Sequence, residues 1–273
     1  MTVSLLVPSS LVRDADSKSE ATRKIGIVAR AAAVFRVDRV GVFPDPDGDR
    51  RWGGGFVETV LRYAATPPYL RKEVFGTRDE LEAAGVLPPL RIPSWTGSES
   101  TDSGSKREGI VTQVGPEGRV RVNCGLQHPI SLHPPDGMTV AEGERVTVRV
   151  SSRRPVRAKL LQEPPPGFRV ERVDHGTALA RADAGYRVGT SRGGEDLTVE
   201  GLADVVTTVD RDGCTVSFGA PDRGLPEILG WGPGDSGDHQ GFDVWLNTVP
   251  RQGSDVVRTE EAVIATLACL NLR

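Results

Sequence analysis

The sequence predicts an α/β fold interrupted by a small all-β insert. Three observations carry this. Apolar strand-like runs alternate with helical stripes at both ends of the chain. Between residues 107 and 162 the pattern changes to period-two alternation punctuated by Gly/Pro turns. Two late strands each run into a glycine-bearing loop and then a helix. The resulting organisation is a discontinuous α/β domain over 1–93 and 164–273, an inserted β domain over 107–162, and a flexible Ser/Gly/Thr linker over 94–106.

Val3–Val7 is a short apolar run ending at Pro8, read as a strand. In the next segment Ala21, Ile25, Val28, Ala29 and Ala32 recur at helical spacing and form one apolar stripe. Arg39–Phe43 (RVGVF) reads as a second strand, parallel to the first because a helix connects them. FVETVLRYA begins a helix near Phe56 that Pro67 and Pro68 end, and Arg78–Ala84 is also expected to be helical.

The insert contains GIVTQV, the turn GPEG, then RVRVNC, ERVTVRV and VRAKLL. Five antiparallel strands in so short a stretch suggest a small barrel of the OB type, with a generic β-meander as the alternative. Its charge stands apart from the rest. From Lys106 to Leu160 there are ten basic and five acidic residues, a net +5, whereas the remainder, with 24 basic and 32 acidic, carries −8. A basic module on an acidic body attracts a polyanion through phosphate contacts. Arg119 and Arg121 share one strand face, as do Arg145 and Arg149, and Arg153 and Arg154 follow. These six are the candidate RNA contacts of the insert, and a solvated outer face is the alternative. The insert has no Phe, Tyr or Trp, so recognition by backbone or shape is expected rather than by base stacking. On the first helix Arg23, Lys24 and Arg30 are further candidates, again with a solvated face as the alternative.

Composition excludes several classes. The three cysteines (Cys124, Cys214, Cys269) are scattered and form no CxxC, which disfavours a disulfide framework or a zinc site and fits a reducing, cytoplasmic setting. The first residues lack the basic start and apolar length of a signal peptide, and no run approaches ~18 uncharged apolar residues, so no membrane span is expected. Cys124, His128 and His133 are too few for a metal site, and Asp174–His175 has no recognisable nucleophile partner.

After Phe168 the α/β pattern resumes. Gly185–Ser191 (GYRVGTS) reads as a strand leading into a loop, and Leu202–Val209 is an apolar run of either type. VSFGAPDRGL and VWLNTVPRQG each place a glycine loop after an apolar strand. In an α/β sheet that is where ligands bind, although either loop alone could be an ordinary turn. The last helix is expected to be capped at Thr259, with Glu260 and Glu261 in its first turn. It is apolar on most sides, which calls for burial against the sheet or a second subunit.

FGAPDRGL followed by LNTVPRQG…VRTEEAV resembles the second and third motifs of the SPOUT superfamily, the α/β-knot RNA methyltransferases, and IVARAAAVFRVDRVGVF strengthens the match. The insert between linkers resembles the archaeal and eukaryotic branch with an OB-like domain inside the knot fold. The resemblance covers essentially the whole chain. It implies a trefoil-knotted domain with a mostly parallel sheet, a homodimer, and S-adenosylmethionine bound in the knot. It also implies an RNA substrate, most naturally ribosomal RNA, with uridine N3 as the acceptor atom.

Carried onto matching positions, the cofactor loops are Thr190 and Ser191; Gly219, Gly224 and Leu225; and Leu246, Asn247, Gln252 and Gly253, followed by Val257 and Thr259. A ring nitrogen or hydroxyl acceptor must lose a proton, so a base or an anion-stabilising cation is required. The candidates are Arg258, Glu260 and Arg223. The alternatives are a helix-dipole role for Glu260 and a structural salt bridge for Arg258. A rival of another class is a non-catalytic RNA-binding or ribosome-assembly factor with the same fold.

Overall fold

The computed structural model describes residues 1–48, 51–53, 55–92, 105–116, 118–231 and 241–272. Within these the chain divides into two compact units. One comprises Met1–Ala65, Asp79–Leu90 and Phe168–Arg273; the other comprises Thr66–Arg78 and Arg91–Gly167. Most of the expected linker, residues 94–104, lies outside the described residues, while Ser105 and Lys106 already belong to a strand.

The first unit is built on a six-stranded sheet, every pairing of which is parallel. β1 (Val3–Pro8) runs through the centre, with Leu5, Leu6 and Val7 essentially inaccessible to solvent. α1 (Lys18–Val34) follows, capped by Ser17, whose hydroxyl accepts from the Glu20 amide. All five residues of its predicted stripe are buried. β2 (Arg39–Phe43) pairs with β1 in parallel, as expected of a strand–helix–strand unit. α2 (Phe56–Ala65) buries Phe56, Val57, Val60 and Leu61.

Arg78–Ala84 does not form the expected helix. It contains a 3-10 turn at Asp79–Leu81, and a second follows at Ala84–Val86. Gly85 and the Pro88–Pro89 pair come too soon for a helix to propagate. The Arg30 guanidinium holds the end of this segment by donating to the Pro89 and Leu90 carbonyls at 3.3 and 2.6 Å.

The sheet is completed by β8 (Arg169–Arg172), β9 (Tyr186–Asp196), β10 (Cys214–Ser217) and β11 (Val244–Asn247), in the order β11-β9-β10-β1-β2-β8. α4 (His175–Leu179) follows β8. The ambiguous run at Leu202–Val209 lies in a helix, α5 (Val199–Asp212), with Thr198 as its cap and Gly213 (φ 78°) closing it. α6 (Leu225–Ile228) is a single turn. α7 (Thr259–Leu270) packs on α1 and α5, burying Val263, Leu267 and Leu270 and leaving Ile264 exposed.

The second unit holds a five-stranded antiparallel sheet of β3 (Ser105–Val114), β4 (Val120–Asn123), β5 (Ile130–Leu132), β6 (Arg145–Arg153) and β7 (Val156–Leu161). Its order is β5-β4-β3-β6-β7, and the edge strands β5 and β7 approach each other so that the sheet nearly closes into a barrel. Val111, Val120, Val122, Val146, Val148, Val150 and Leu160 fill the interior.

α3 (Pro68–Phe75) belongs to this unit. The sequence shows Pro67–Pro68 as the stop of one helix. Pro68 is also the first residue of the next, a position where a missing N–H costs nothing. The Tyr69 hydroxyl donates to the Glu108 carbonyl at 2.9 Å. Gly125, at φ 74°, lies so close that a Cβ would stand 2.7 Å from the Tyr69 ring.

Candidate functional site

β11, β9 and β10 lie side by side, and a bulge within β9 together with the loops leaving β10 and β11 encloses a cavity of about 550 Å³. The first loop is a bulge. The β9–β11 register passes from Gly189 opposite Trp245 directly to Glu195 opposite Leu246, so residues 190–194 are pushed out of the ladder. Glycines at its two ends make this possible: a Cβ on Gly189 would stand 2.1 Å from the Trp245 ring, and one on Gly194 would stand 2.6 Å from the Leu246 backbone. Thr190 Oγ1 donates to the Ser217 carbonyl at 2.8 Å and anchors the loop to β10.

The second loop follows β10. Ala220 and Arg223 exchange backbone hydrogen bonds of 2.9 and 3.1 Å, closing a tight turn with Asp222 at φ 57°. A left-handed aspartate is uncommon but tolerated, and such residues gather at ligand sites. The third loop is ordered by its own amides. Asn247 Oδ1 accepts from the Val249 amide at 3.1 Å, and Gln252 Nε2 donates to the Ser254 carbonyl at 2.8 Å. Thr248 and Thr266 share a 2.7 Å hydroxyl contact that fastens this loop to α7.

Of the residues expected at the cofactor, Thr190, Ser191, Gly219, Gly224, Asn247, Gln252, Val257 and Thr259 line the cavity, as does Arg223. Leu225 and Leu246 are buried beneath it and Gly253 is exposed beside Gln252, none of them in the lining. Reading the sequence alone missed Arg192, Phe218, Asp222, Val249, Asp255 and Ala262. Apolar Phe218, Val249, Val257 and Ala262 beside the hydroxyls of Thr190 and Ser191 and the carboxylates of Asp222 and Asp255 fit a ligand with a flat ring and a cationic tail. S-adenosylmethionine has that chemistry.

The three catalytic candidates fall in different places. Arg223 stands between this cavity and a second one of about 340 Å³, lining both. Its Nε is 3.1 Å from both oxygens of Asp45, a Nη lies 3.6 Å from Asp47, and the other Nη donates to Glu227. Asp45 is 1% exposed and also accepts from Ser10 Oγ at 2.5 Å.

Arg258 and Glu260 do not line the cavity. The cap of α7 is Arg258 rather than Thr259. The Arg258 amide donates to Glu261 Oε2 at 2.9 Å, and Thr259 is the first helical residue. The Arg258 guanidinium is 3.4 Å from Asp14, in a salt bridge. Glu260 is buried, with one carboxylate oxygen lacking a hydrogen-bond partner, and burial pushes its pKa up. Lys24, expected on an RNA-facing surface, is 1% exposed and paired with Asp14 at 2.6 Å and Glu20 at 3.2 Å. It sits on the buried side of α1, one turn before Val28. Arg258, Asp14, Lys24 and Glu20 form a partly buried chain of ion pairs beside the start of α7.

His175 finds a hydroxyl partner that its sequence neighbours do not reveal. Its Nε2 is 3.1 Å from Ser217 Oγ, and burial lowers its pKa to about 4. Asp174 caps α4 through the Thr177 amide at 2.8 Å.

In the barrel unit Arg119 and Arg121 are exposed, with Arg119 Nε 3.2 Å from His133 Nε2. Lys106, Arg149 and Lys159 face one another across β3, β6 and β7. Arg145 is instead engaged with Glu108, whose side chain is wholly inaccessible, which gives it a structural task. Arg153, Arg154 and, on α1, Arg23 are exposed. Among the described residues no His/Cys/Asp/Glu group is placed to hold a metal ion, and no helix is long and apolar enough to cross a membrane.

A family model described as "Putative RNA methyltransferase" matches residues 2–270. The chain belongs to this RNA methyltransferase family. It is 68% identical to an uncharacterized protein of Halobacterium salinarum over 100% of this chain and 99% of that one. It is 27% identical to the human 28S rRNA (uridine-N(3))-methyltransferase over 98% of this chain and 77% of the relative. The Drosophila melanogaster protein of the same name is 29% identical, over 98% and 61%. The cavity of this chain lies at the carboxyl edge of its parallel sheet.

Proposed function

We propose that the protein is an S-adenosylmethionine-dependent methyltransferase of the SPOUT type that acts on ribosomal RNA, with uridine N3 as the acceptor. The carrying observation is the cavity formed jointly by the bulge of β9 and the loops after β10 and β11, in a chain whose family match spans residues 2–270. The names of the human and fly relatives support the uridine assignment.

S-adenosylmethionine, when bound, supplies a methyl group already activated on a sulfonium sulfur. Thr190, Asn247, Gln252 and the backbone of the Gly219–Gly224 turn hold it, and Asp222 and Asp255 supply the negative charge its cationic portions require. Uridine N3 gives up its proton to solvent water, and its lone pair then forms the new N–C bond as the methyl–sulfur bond breaks. Arg223, at the cavity edge, stabilises the anion that results. Asp45 keeps that guanidinium in place. Alignment of the acceptor with the methyl group does most of the remaining work.

The barrel unit, OB-like in its strand order, supplies RNA affinity through Arg119, Arg121, Arg149, Arg153 and Arg154. The molecule works as a homodimer, and exposed Ile264 and Leu272 at the C-terminal helix favour this. The test is mass-spectrometric mapping of rRNA nucleosides in a deletion strain. One methylated uridine should vanish and return with the wild-type gene. An unchanged profile with defective ribosome assembly identifies a non-catalytic RNA-binding factor instead.

A further inference from the structure

A methyl acceptor must lie within about 3–3.5 Å of the methyl carbon, so its site has to adjoin the donor cavity. Among the described residues, two other cavities are candidates. One, of about 570 Å³, is lined by Gly185, Tyr186, Arg187 and Asp243, at the starts of β9 and β11 and so at the opposite edge of the sheet. The other is the 340 Å³ cavity on the far side of Arg223, at the carboxyl ends of β1 and β2.

The walls of this second cavity are preformed. Ser9 and Ser10 directly follow β1. Asp45 ties them to the β2 loop: its amide donates to Ser9 Oγ at 2.9 Å and its carboxylate accepts from Ser10 Oγ. Arg51 donates to the Ala15 carbonyl at 2.7 Å and to the Asp16 carbonyl, which folds the β2 loop back over the β1 loop. The Trp52 indole is fixed by Phe56, with ring centroids 5.7 Å apart, and by the Arg51 guanidinium, 5.0 Å from its centroid. Arg13 is exposed and makes no ion pair among the described residues.

We propose that this second cavity, between Ser9, Arg13, Trp52 and Arg223, receives the target uridine nucleotide flipped out of the RNA; the proposal rests on the function inferred above. Its chemistry fits a uracil losing its N3 proton. The Watson–Crick edge of neutral uracil has two acceptors flanking one donor, and after deprotonation all three positions accept. The cavity offers donors: the Arg223 guanidinium, and the Ser9 hydroxyl, whose oxygen is used by the Asp45 amide while its hydrogen stays available. Arg13, at the rim, takes the nucleotide's phosphate. Entry of a single nucleotide requires flipping, as in other enzymes that modify bases.

The test uses the full chain with rRNA transcribed with 4-thiouridine. Photo-crosslinks should map to peptides containing residues 9–16 or 44–52. Arg13→Ala and Ser9→Ala should lower kcat/KM for RNA about tenfold or more, with the Arg13→Ala loss mainly in KM. Both should bind S-adenosylmethionine within twofold of wild type. Wild-type transfer by both variants, or crosslinks at the Gly185–Asp243 edge, would overturn the proposal. If the wild type crosslinks at this cavity yet binds no methyl donor, the nucleotide site stands and the methyltransferase reading fails.

Discussion

Thr259 Oγ1 donates a 2.8 Å hydrogen bond to the carbonyl of Gly219, forty residues earlier in the chain. This bond fastens the start of α7 to the turn after β10, and both residues line the 550 Å³ cavity. Thr259 is 3% exposed and Gly219 is half-buried, so deleting the hydroxyl leaves the Gly219 carbonyl without this partner. Thr259→Val keeps the shape and deletes the donor. We expect a stability loss of about 1–2 kcal/mol in urea unfolding and a several-fold weaker affinity for S-adenosylmethionine in calorimetry.

Arg223 and Asp45 form a second long-range tie, with side chains 13% and 1% exposed. Arg223→Ala strands a buried carboxylate and should cost about 3 kcal/mol or more. Asp45→Asn in the same chain should recover part of that loss, because the stranded charge is then gone. Thermal unfolding of the two single variants and the double variant measures the coupling. Methyl transfer should not return in the double variant.

The buried imidazole of His175 makes stability depend on pH. Its pKa is about 4 in the folded protein against 6.5 in the unfolded chain. Above pH 6.5 both states are neutral there and nothing is lost. As pH falls from 6.5 towards 4, only the unfolded chain takes up a proton, so stability declines by about 3 kcal/mol in all. Unfolding free energies at pH 7 and pH 5 should differ less in His175→Gln than in wild type.

The arginines of the barrel should separate into two kinds. Arg145→Ala removes the partner of inaccessible Glu108 and should destabilise that unit by about 3 kcal/mol. Arg149→Ala and Arg119→Ala should leave unfolding nearly unchanged. Each should instead weaken RNA binding and reduce the slope of log affinity against log salt by about 1. Filter binding at several salt concentrations reads this directly.

Much of this was legible in the residues. The stripe from Ala21 to Ala32 and the RVGVF run announced a parallel pair, and the glycine loops marked the cavity, because periodicity and glycine reflect local backbone requirements. What escaped depends on distant partners. Lys24 looks like a surface cation until Asp14 and Glu20 fold around it. Glu260 has the sequence position of a helix-dipole residue, yet the helix turns it inward. α3 was hidden because the same proline pair ends one helix and begins another, and its place with the barrel rests on Tyr69 meeting Glu108 and Gly125. Arg145 and Arg149 share a strand face, and only the buried position of Glu108 tells their tasks apart.

Calorimetric titration of the wild-type chain with S-adenosylmethionine tests the central claim most directly. Saturable binding at one site per chain, micromolar or tighter and weakened by Thr259→Val, is the predicted result. A folded protein that gives no saturable heat with either the donor or S-adenosylhomocysteine would contradict it.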